Sequence, residues 1–192
     1  MLLMFVSHAF AQATCDYQPP LPQTAEEIEE EAQRQRYREQ LSMYQAFLPH
    51  TPETQLLMPV AGVRVAQGAD TWGAARGNGR SHEGQDIFAP RGTPVYAAAP
   101  GYVYRIGTGT LGGKYVFIAG AGGVRYYYAH LEDWAAIEEG MFVTTDIVLG
   151  YVGNSGNAIS TPPHLHFGVY SGSRRTCDRE VYDPLPLFVD RW

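Results

Sequence analysis

The spacing of apolar side chains predicts a helix near the start of the chain. Between residues 24 and 48 such side chains recur three or four positions apart, at Tyr37, Leu41, Tyr44 and Leu48. Thr24 and Glu27 match a capping box, and glutamates precede arginines along the segment, as the helix dipole favours. Because the apolar stripe is narrow, we expect a surface helix docked on its own domain. The prolines at 49 and 52 begin a linker.

A different pattern begins at Met58. Short apolar segments, separated by glycines, lie at residues 59–65, 94–98, 102–106, 115–118, 124–128, 147–152 and 164–170. Regular strand spacing with turn signals is typical of antiparallel sheets and sandwiches. The sequence therefore predicts a mainly β fold, an antiparallel β-sheet or sandwich preceded by one N-terminal α-helix. The glycine-rich stretch 119–123 is predicted to be a hairpin loop.

Composition narrows the classes of protein and of partner. The 192 residues are 45% hydrophobic and 18% charged, which argues against intrinsic disorder and fits one domain with a small appendage. The net charge is −6, and Lys114 is the single lysine. No run of basic residues stands out, so neither nucleic acid nor an anionic membrane surface is an expected partner. Protein partners are not predicted.

The first 13 residues resemble a shortened secretory signal peptide. Residues 1–6 are apolar, and both 9–11 and 11–13 fit a small-x-small cleavage site. The alternative is an ordinary apolar N-terminus. Beyond this segment no stretch approaches the ~20 apolar residues of a membrane span. We expect export to the periplasm or cell envelope, with 1–13 as signal, 14–57 as helical segment and linker, and 58–192 as the β domain.

The two cysteines bear on the same question. Cys15 and Cys177 would form one disulfide in an exported chain, and two unpaired thiols are the alternative. Gln12 and Thr14 match a lipoprotein site poorly.

Two familiar motifs are predicted to be incidental. Residues 107–112 fit GxGxxG, but the segment after them reads as a strand rather than the helix that would hold a pyrophosphate, so a hairpin loop is expected. Residues 82–86 begin like HExxH but end in Asp86, and Gly84 argues against the helix that this zinc motif requires. Glu83 is therefore a poor candidate for a general base.

Four histidines of the β region form the candidate site. His164 and His166 lie two apart on a predicted strand and so project from one face. With His82 or His130 and the carboxylate of Asp86, such a pair is typical of a metal site. By the same alternation Tyr126 and Tyr128 would share a face with His130, where they would line a groove or pack in the core.

These motifs together resemble the lysostaphin/LytM-type zinc metalloendopeptidases. The resemblance rests on HxxxD at 82–86, Tyr-Ala-His-Leu at 128–131 and HxH at 164–166. It extends to Trp72–Arg76, Ala89–Val95 and Leu149–Gly156, and spans about residues 58–190 in the expected order. Gln85, where the family usually has Ile or Val, and the pair 144–145 depart from the pattern.

The resemblance implies a role for each residue of the site. One Zn²⁺ ion would be held by His82, Asp86 and His166, which leaves a fourth position for water. His130 and His164 would be the catalytic pair, with His164 favoured as the base and His130 as the oxyanion partner, although the sequence does not order them. Arg76 would contact a substrate carboxylate or remain solvated.

The implied function is that of an exported endopeptidase hydrolysing the peptide cross-links of bacterial peptidoglycan, in a groove along one sheet. Two alternatives remain at this point: a non-enzymatic wall-binding regulator of a separate hydrolase, and a secreted endopeptidase acting on proteins. The N-terminal helix would pack behind the sheet or shield the groove.

Overall fold

A computed structural model describes residues 21–22, 24–173 and 178–192. The predicted signal peptide 1–13 and both cysteines of the predicted disulfide, Cys15 and Cys177, lie outside the described residues.

The predicted helix is present as α1, Ala25–Phe47. Its capping box has both hydrogen bonds: the Glu27 amide donates to Thr24 Oγ1 at 3.1 Å, and the Thr24 amide donates to the Glu27 carboxylate at 3.0 Å. At the C-terminal end of α1, Leu48 has an extended backbone. The cause is Pro49, because a proline disfavours helical geometry in the residue before it. No helix in the described part of the chain is long and apolar enough to cross a membrane.

The rest of the described chain is mainly β, as predicted. Its strands are β1 Leu56–Leu57, β2 Ala75–Arg76, β3 Arg80–Ser81, β4 Gln85–Phe88, β5 Pro94–Tyr96, β6 Gly101–Gly109, β7 Gly113–Ala119, β8 Arg125–Trp134, β9 Phe142–Val143, β10 Val148–Val152, β11 His164–Ser171, β12 Glu180–Tyr182 and β13 Phe188–Val189. The large antiparallel sheet runs β12-β11-β8-β7-β6-β9, with β4 beside β11 and β10 between β5 and β8. Among the strands of the described residues, β1 and β13 are the one pair that runs in parallel.

Both predicted loops connect neighbouring antiparallel strands. The GxGxxG segment closes the β6–β7 hairpin, where Gly109 faces Gly113, and residues 119–123 join β7 to β8. The segment 59–65 is not the strand that its apolar run suggests. It makes a single bridge, between Val60 and Val95, because Pro59 lacks an amide donor and Gly62 turns the chain at φ 73°.

The central strands give the sheet two unlike faces. One face packs into the main core, which includes Val103, Val116, Ile118, Tyr126, Tyr128 and Phe167. The alternate residues of the same strands form an aromatic outer face, which includes Tyr102, Phe117 and Tyr127. Phe117 stacks on Tyr127 at 4.3 Å between ring centroids.

Helix α1 docks on this outer face, over β6 and β7. Tyr44 stacks on Tyr102 at 4.9 Å, and Leu48 and Leu41 complete the contact. The helix is therefore not behind the sheet. Nor does it shield the histidines, since no α1 residue within the described range lines the cavity around them.

Tyr44→Ala is expected to lower the free energy of unfolding by about 2 kcal/mol, because it removes a buried ring from the helix–sheet contact. Met43→Ala, next to it but 49% exposed, should cost less than about 0.5 kcal/mol. Urea denaturation followed by circular dichroism measures both. Equal losses for the two variants would show that the docking contact adds nothing.

Candidate active site

Three side chains predicted as zinc ligands converge on one point. His82 lies just before β4, Asp86 lies within β4, and His166 of β11 is the cross-strand partner of Asp86. His82 Nε2 is 2.8 Å from His166 Nδ1 and 3.0 Å from Asp86 Oδ1, and His166 Nδ1 is 3.1 Å from the same oxygen. The structure thus brings two imidazole nitrogens and one carboxylate oxygen into a closed triangle.

This donor set fits a zinc ion. Ligand atoms that bind tetrahedral zinc at ~2.0–2.1 Å are about 3.4 Å apart, so the triangle need open by only a few tenths of an ångström. Two His and one carboxylate leave one position open, as in catalytic zinc sites. A fourth protein ligand, which would close the site, is absent from the cluster formed by the described residues.

The protonation states suit metal binding. Burial acts to raise the pKa of Asp86, but the hydrogen bond with His166 and the attraction of the two histidine rings outweigh it and hold that pKa far below its usual value. Burial lowers the pKa of His166. At neutral pH the site therefore presents a carboxylate anion and a neutral imidazole of His166, which are the forms that bind metals.

Thr71 fixes two of the three candidate ligands, and the sequence analysis missed it. The Thr71 carbonyl accepts Nδ1–H of His82 at 2.7 Å, and its hydroxyl accepts the Asp86 amide at 2.8 Å. The first bond leaves Nε2 of His82 as the lone-pair donor. The only sequence signal was position, since Thr71 precedes the Trp72-Gly73 pair of the resemblance.

Gln85 anchors the segment that carries Thr71. Its buried side-chain carbonyl accepts the Thr71 amide at 3.3 Å, and its amide group donates to the Ala69 carbonyl. The departure from the usual Ile or Val thus joins the 69–71 segment to the ligand strand through polar bonds.

Arg76 contacts the protein itself, whereas the sequence analysis considered a substrate carboxylate or solvent as its partner. It donates to Asp86 Oδ2 at 2.6 Å, although its side chain is still 42% exposed. This ion pair occupies the outer carboxylate oxygen and leaves Oδ1 facing the two histidines. Arg76 therefore orients a candidate ligand.

Gly84 leaves room for the His166 ring. A Cβ at this position would lie 2.5 Å from His166 Cε1 and 2.7 Å from the Phe167 carbonyl oxygen, closer than side chains pack. Between the two candidate ligands His82 and Asp86, the chain therefore needs a glycine, because the His166 ring occupies the space of a side chain there.

His130 and His164, the predicted catalytic pair, lie beside the triangle with ring centroids 5.0 Å apart. Each donates Nδ1–H to a backbone carbonyl, His130 to Ser155 at 2.8 Å and His164 to Pro162 at 2.9 Å. Both rings therefore carry their second nitrogen, Nε2, as the acceptor. Burial lowers the pKa of His130 to about 4, so this ring is neutral near pH 7.

A bulge in β8 aims His130 at the site. Lys114 pairs with Leu131 while Val116 pairs with Tyr128, so β8 holds one extra residue, and His130 has φ 62°. Bulges of this kind re-aim a side chain near active sites. The prediction that Tyr126 and Tyr128 share a face with His130 is wrong, because the bulge interrupts the alternation that the prediction assumed.

The three consecutive tyrosines of β8 divide between the core and the site cavity. Tyr126 and Tyr128 are in the core, which was one of the two alternatives. Tyr127 lines the cavity that contains all five candidate site residues, which measures about 640 Å³. The Tyr127 ring lies 5.9 Å from that of His166.

Glu83 lines the same cavity, but its carboxylate is engaged by an arginine. Its carboxylate pairs with Arg179 at 2.5 Å, and residues 82–84 form no helix. The rejection of the HExxH interpretation is therefore confirmed.

Comparison with known proteins finds matches over the part of the chain that carries the candidate site. The sequence profile of the family described as "Peptidase family M23" matches residues 80–178. The chain is 41% identical over 124 residues to the L-Ala–D-Glu endopeptidase of Bacillus subtilis, a match that covers 60% of this chain and 37% of that protein. Across the first curated relatives, the chain spans between 20% and 37% of their length.

Solved structures agree in fold. The catalytic domain of lysostaphin from Staphylococcus simulans aligns with a TM-score of 0.54 and 30% identity, over 64% of this chain and 92% of that one. A glycyl-glycine endopeptidase lytM, described as putative, from Ruminococcus gnavus aligns with a TM-score of 0.58 and 27% identity, over 72% of this chain and 63% of that one.

Gly84→Ala is expected to weaken zinc binding tenfold or more, because the new methyl group displaces the His166 ring. Gly77→Ala is the matched control, since its Cβ would meet no atom within 4 Å. Competition with a chromophoric chelator gives both dissociation constants. Unchanged affinity in Gly84→Ala would mean that the ring can move without cost.

Thr71→Val is expected to weaken zinc binding about tenfold, because the Asp86 amide loses its acceptor while the side-chain volume is kept. Thr108→Val, on the exposed part of β6, should leave the affinity unchanged. The same chelator competition decides between them, and equal affinities would remove Thr71 from the support of the site.

Proposed function

Because the chain belongs to peptidase family M23, we propose that it is a zinc-dependent endopeptidase that hydrolyses peptide cross-links of bacterial peptidoglycan. The observation that carries the proposal is the triangle of His82, Asp86 and His166 beside two further histidines with Nε2 free. All five side chains of the predicted site line one cavity, which favours an active enzyme over the inert remnant of one. The names of the Bacillus and Staphylococcus relatives support the substrate class.

In this proposal His82 Nε2, Asp86 Oδ1 and His166 Nδ1 hold the zinc ion. Zinc, when bound, supplies a Lewis acid that acidifies water and polarises the scissile carbonyl. Thr71 and Arg76 keep the ligands in the required tautomer and orientation through their hydrogen bonds.

The two remaining histidines, His130 and His164, are the proposed proton-transfer groups. His164 is the proposed general base, because its Nε2 lies 3.8 Å from Asp86 Oδ1 and is therefore close to a water that the three candidate ligands would hold through the metal. It accepts a proton from the attacking water at Nε2 and returns it to the leaving amine nitrogen. His130 lies beside it and is the proposed partner of the carbonyl oxygen. Its single ring proton is on Nδ1, so Nε2 must first take up a proton from solvent before it donates to that oxygen, and the negative charge developing there favours this uptake.

The domain assignment and location complete the proposal. Residues 58–192 form the catalytic domain, 14–57 the helical segment and linker, and 1–13 a signal that directs export to the cell envelope. The apolar run and small residues of 1–13 support export. A wall substrate requires a location outside the cytoplasm.

Zinc-loaded protein is expected to release new muropeptides from purified sacculi, detected by mass spectrometry, and their masses identify the bond that is cleaved. His164→Ala and His130→Ala should lower the rate by a factor of 10²–10⁴ while zinc stays bound, because they remove proton transfer only. His166→Ala should lose both zinc and activity. Chelation should abolish release, and added zinc should restore it.

His50→Ala, in the exposed linker, is the matched control and should behave like the natural sequence. If the zinc-loaded chain releases no fragment, the peptidoglycan proposal fails. Cleavage of a protein such as casein by the same sample would then favour the protein-directed alternative, and silence in both assays would favour the regulator.

A further inference from the structure

A second cavity lies on the outer face of the sheet, between the candidate active site and α1. It measures about 430 Å³. Three arginines from separate parts of the chain line it, namely Arg105 of β6, Arg125 of β8 and Arg179 just before β12. Its remaining walls are mostly aromatic, and none of its described lining residues is acidic. We call it the arginine pocket.

The arginine pocket adjoins the cavity around the histidines. Tyr127 and Tyr170 line both cavities. The Tyr127 ring lies 5.9 Å from His166 on one side and stacks on Phe117 of the arginine pocket at 4.3 Å on the other. A peptide in an extended conformation advances about 3.3 Å per residue. A substrate held at the zinc site would therefore reach the pocket within about three residues.

Two of the three guanidinium groups lack a carboxylate partner among the described residues. Arg105 lies over the rings of Tyr37 and Tyr115, at 4.7 and 5.4 Å from their centroids. Arg125 donates to the Gly172 carbonyl. Arg179, in contrast, is paired with Glu83. The pocket thus holds positive charge that its own walls do not neutralise, in a chain whose net charge is −6.

The wall chemistry points to the kind of group that would bind. A guanidinium presents a planar fork of N–H donors that matches a carboxylate, and aromatic walls exclude the water that would weaken the pairing. Burial raises the pKa of Tyr104 in the same pocket to about 12, so its phenol stays neutral and adds no negative charge. A carboxamide would accept hydrogen bonds from the same donors but would lack the charge, and a cationic side chain would be repelled.

We infer that the arginine pocket is a substrate subsite that binds a carboxylate of the peptide, within about three residues of the scissile bond, through Arg105 and Arg125. The inference rests on the proposed function, because it takes the bound carboxylate to belong to the peptide that is cleaved. It deepens that proposal by making acidic stem peptides the preferred substrates over uncharged ones. The helix contributes indirectly, because Tyr37 supports the Arg105 side chain.

The test measures binding separately from cleavage. Zinc-loaded full-length protein carrying His164→Ala is titrated calorimetrically with a purified stem peptide that contains free carboxylates, and with the same peptide after conversion of its carboxylates to carboxamides. The acidic peptide is expected to bind at least tenfold more tightly. Arg105→Gln and Arg125→Gln should each remove most of that preference and leave the affinity for the amidated peptide unchanged.

Two controls keep the result interpretable. Arg64→Gln removes an exposed arginine elsewhere on the surface and should keep the full preference. Arg125→Lys retains the charge without the fork and should give an intermediate preference. Each variant is checked for an unchanged zinc affinity, which reports an intact neighbouring site.

Equal affinities for the acidic and amidated peptides, or a preference that survives in the Arg105→Gln/Arg125→Gln double variant, would overturn the subsite. Failure of the natural sequence to cleave sacculi would instead overturn the proposed function. The two failures are distinguishable because the calorimetric preference does not depend on hydrolysis.

Discussion

The antiparallel register between β4 and β11 places Asp86 directly opposite His166, and the rest of the site is built around that pair. Successive residues of a strand point to opposite faces, so a slip of one residue would turn both side chains into the core. Leu165 and Phe167, which are fully buried on the other face, oppose such a slip. The hydrophobic core therefore fixes the position of two polar ligands on the face that it does not occupy.

The outer face of the sheet contacts the helix, lines the arginine pocket and carries the candidate site, one after another across its width. At the β6 edge its aromatic side chains receive α1, in the middle they wall the arginine pocket, and at β8 and β11 they give way to the histidines. Tyr127 belongs to both cavities and connects the two regions. The helix borders this surface at one end, where Tyr37 contacts Arg105 of the arginine pocket, although it carries none of the candidate ligands.

Local patterns predicted what depends on local physics. The capping box of Thr24 and Glu27, the hairpin at 107–112 and the common face of His164 and His166 follow from rules that act over a few residues, and all are present. The roles of the five site residues were predicted through the family resemblance and stay predictions until metal binding and activity are measured. The strand expected at 59–65 is missing because one proline and one turn outweigh its apolar character.

What the sequence could not supply depends on contacts between distant segments. The Thr71 hydroxyl accepts a hydrogen bond from the Asp86 amide, 15 residues further along the chain, and no periodic pattern in the sequence marks Thr71. The arginine pocket combines residues from β6, β8 and the segment before β12, so the chain shows no basic run although the surface holds a basic cluster. The face assigned to Tyr126 and Tyr128 was misjudged relative to His130, since a bulge cannot be read from alternation alone.

The left-handed backbone at His130 sets conformational stability against the proposed catalytic role at one position. A side chain other than glycine at φ 62° costs on the order of 1 kcal/mol, and the amide bond to the Gly112 carbonyl together with the ring bond to Ser155 holds the chain there. Glycine would relieve the strain and lose the imidazole. Variants of this chain selected for heat resistance alone would therefore drift toward glycine at position 130, and a screen for stability must also select for the proposed hydrolysis to keep the histidine.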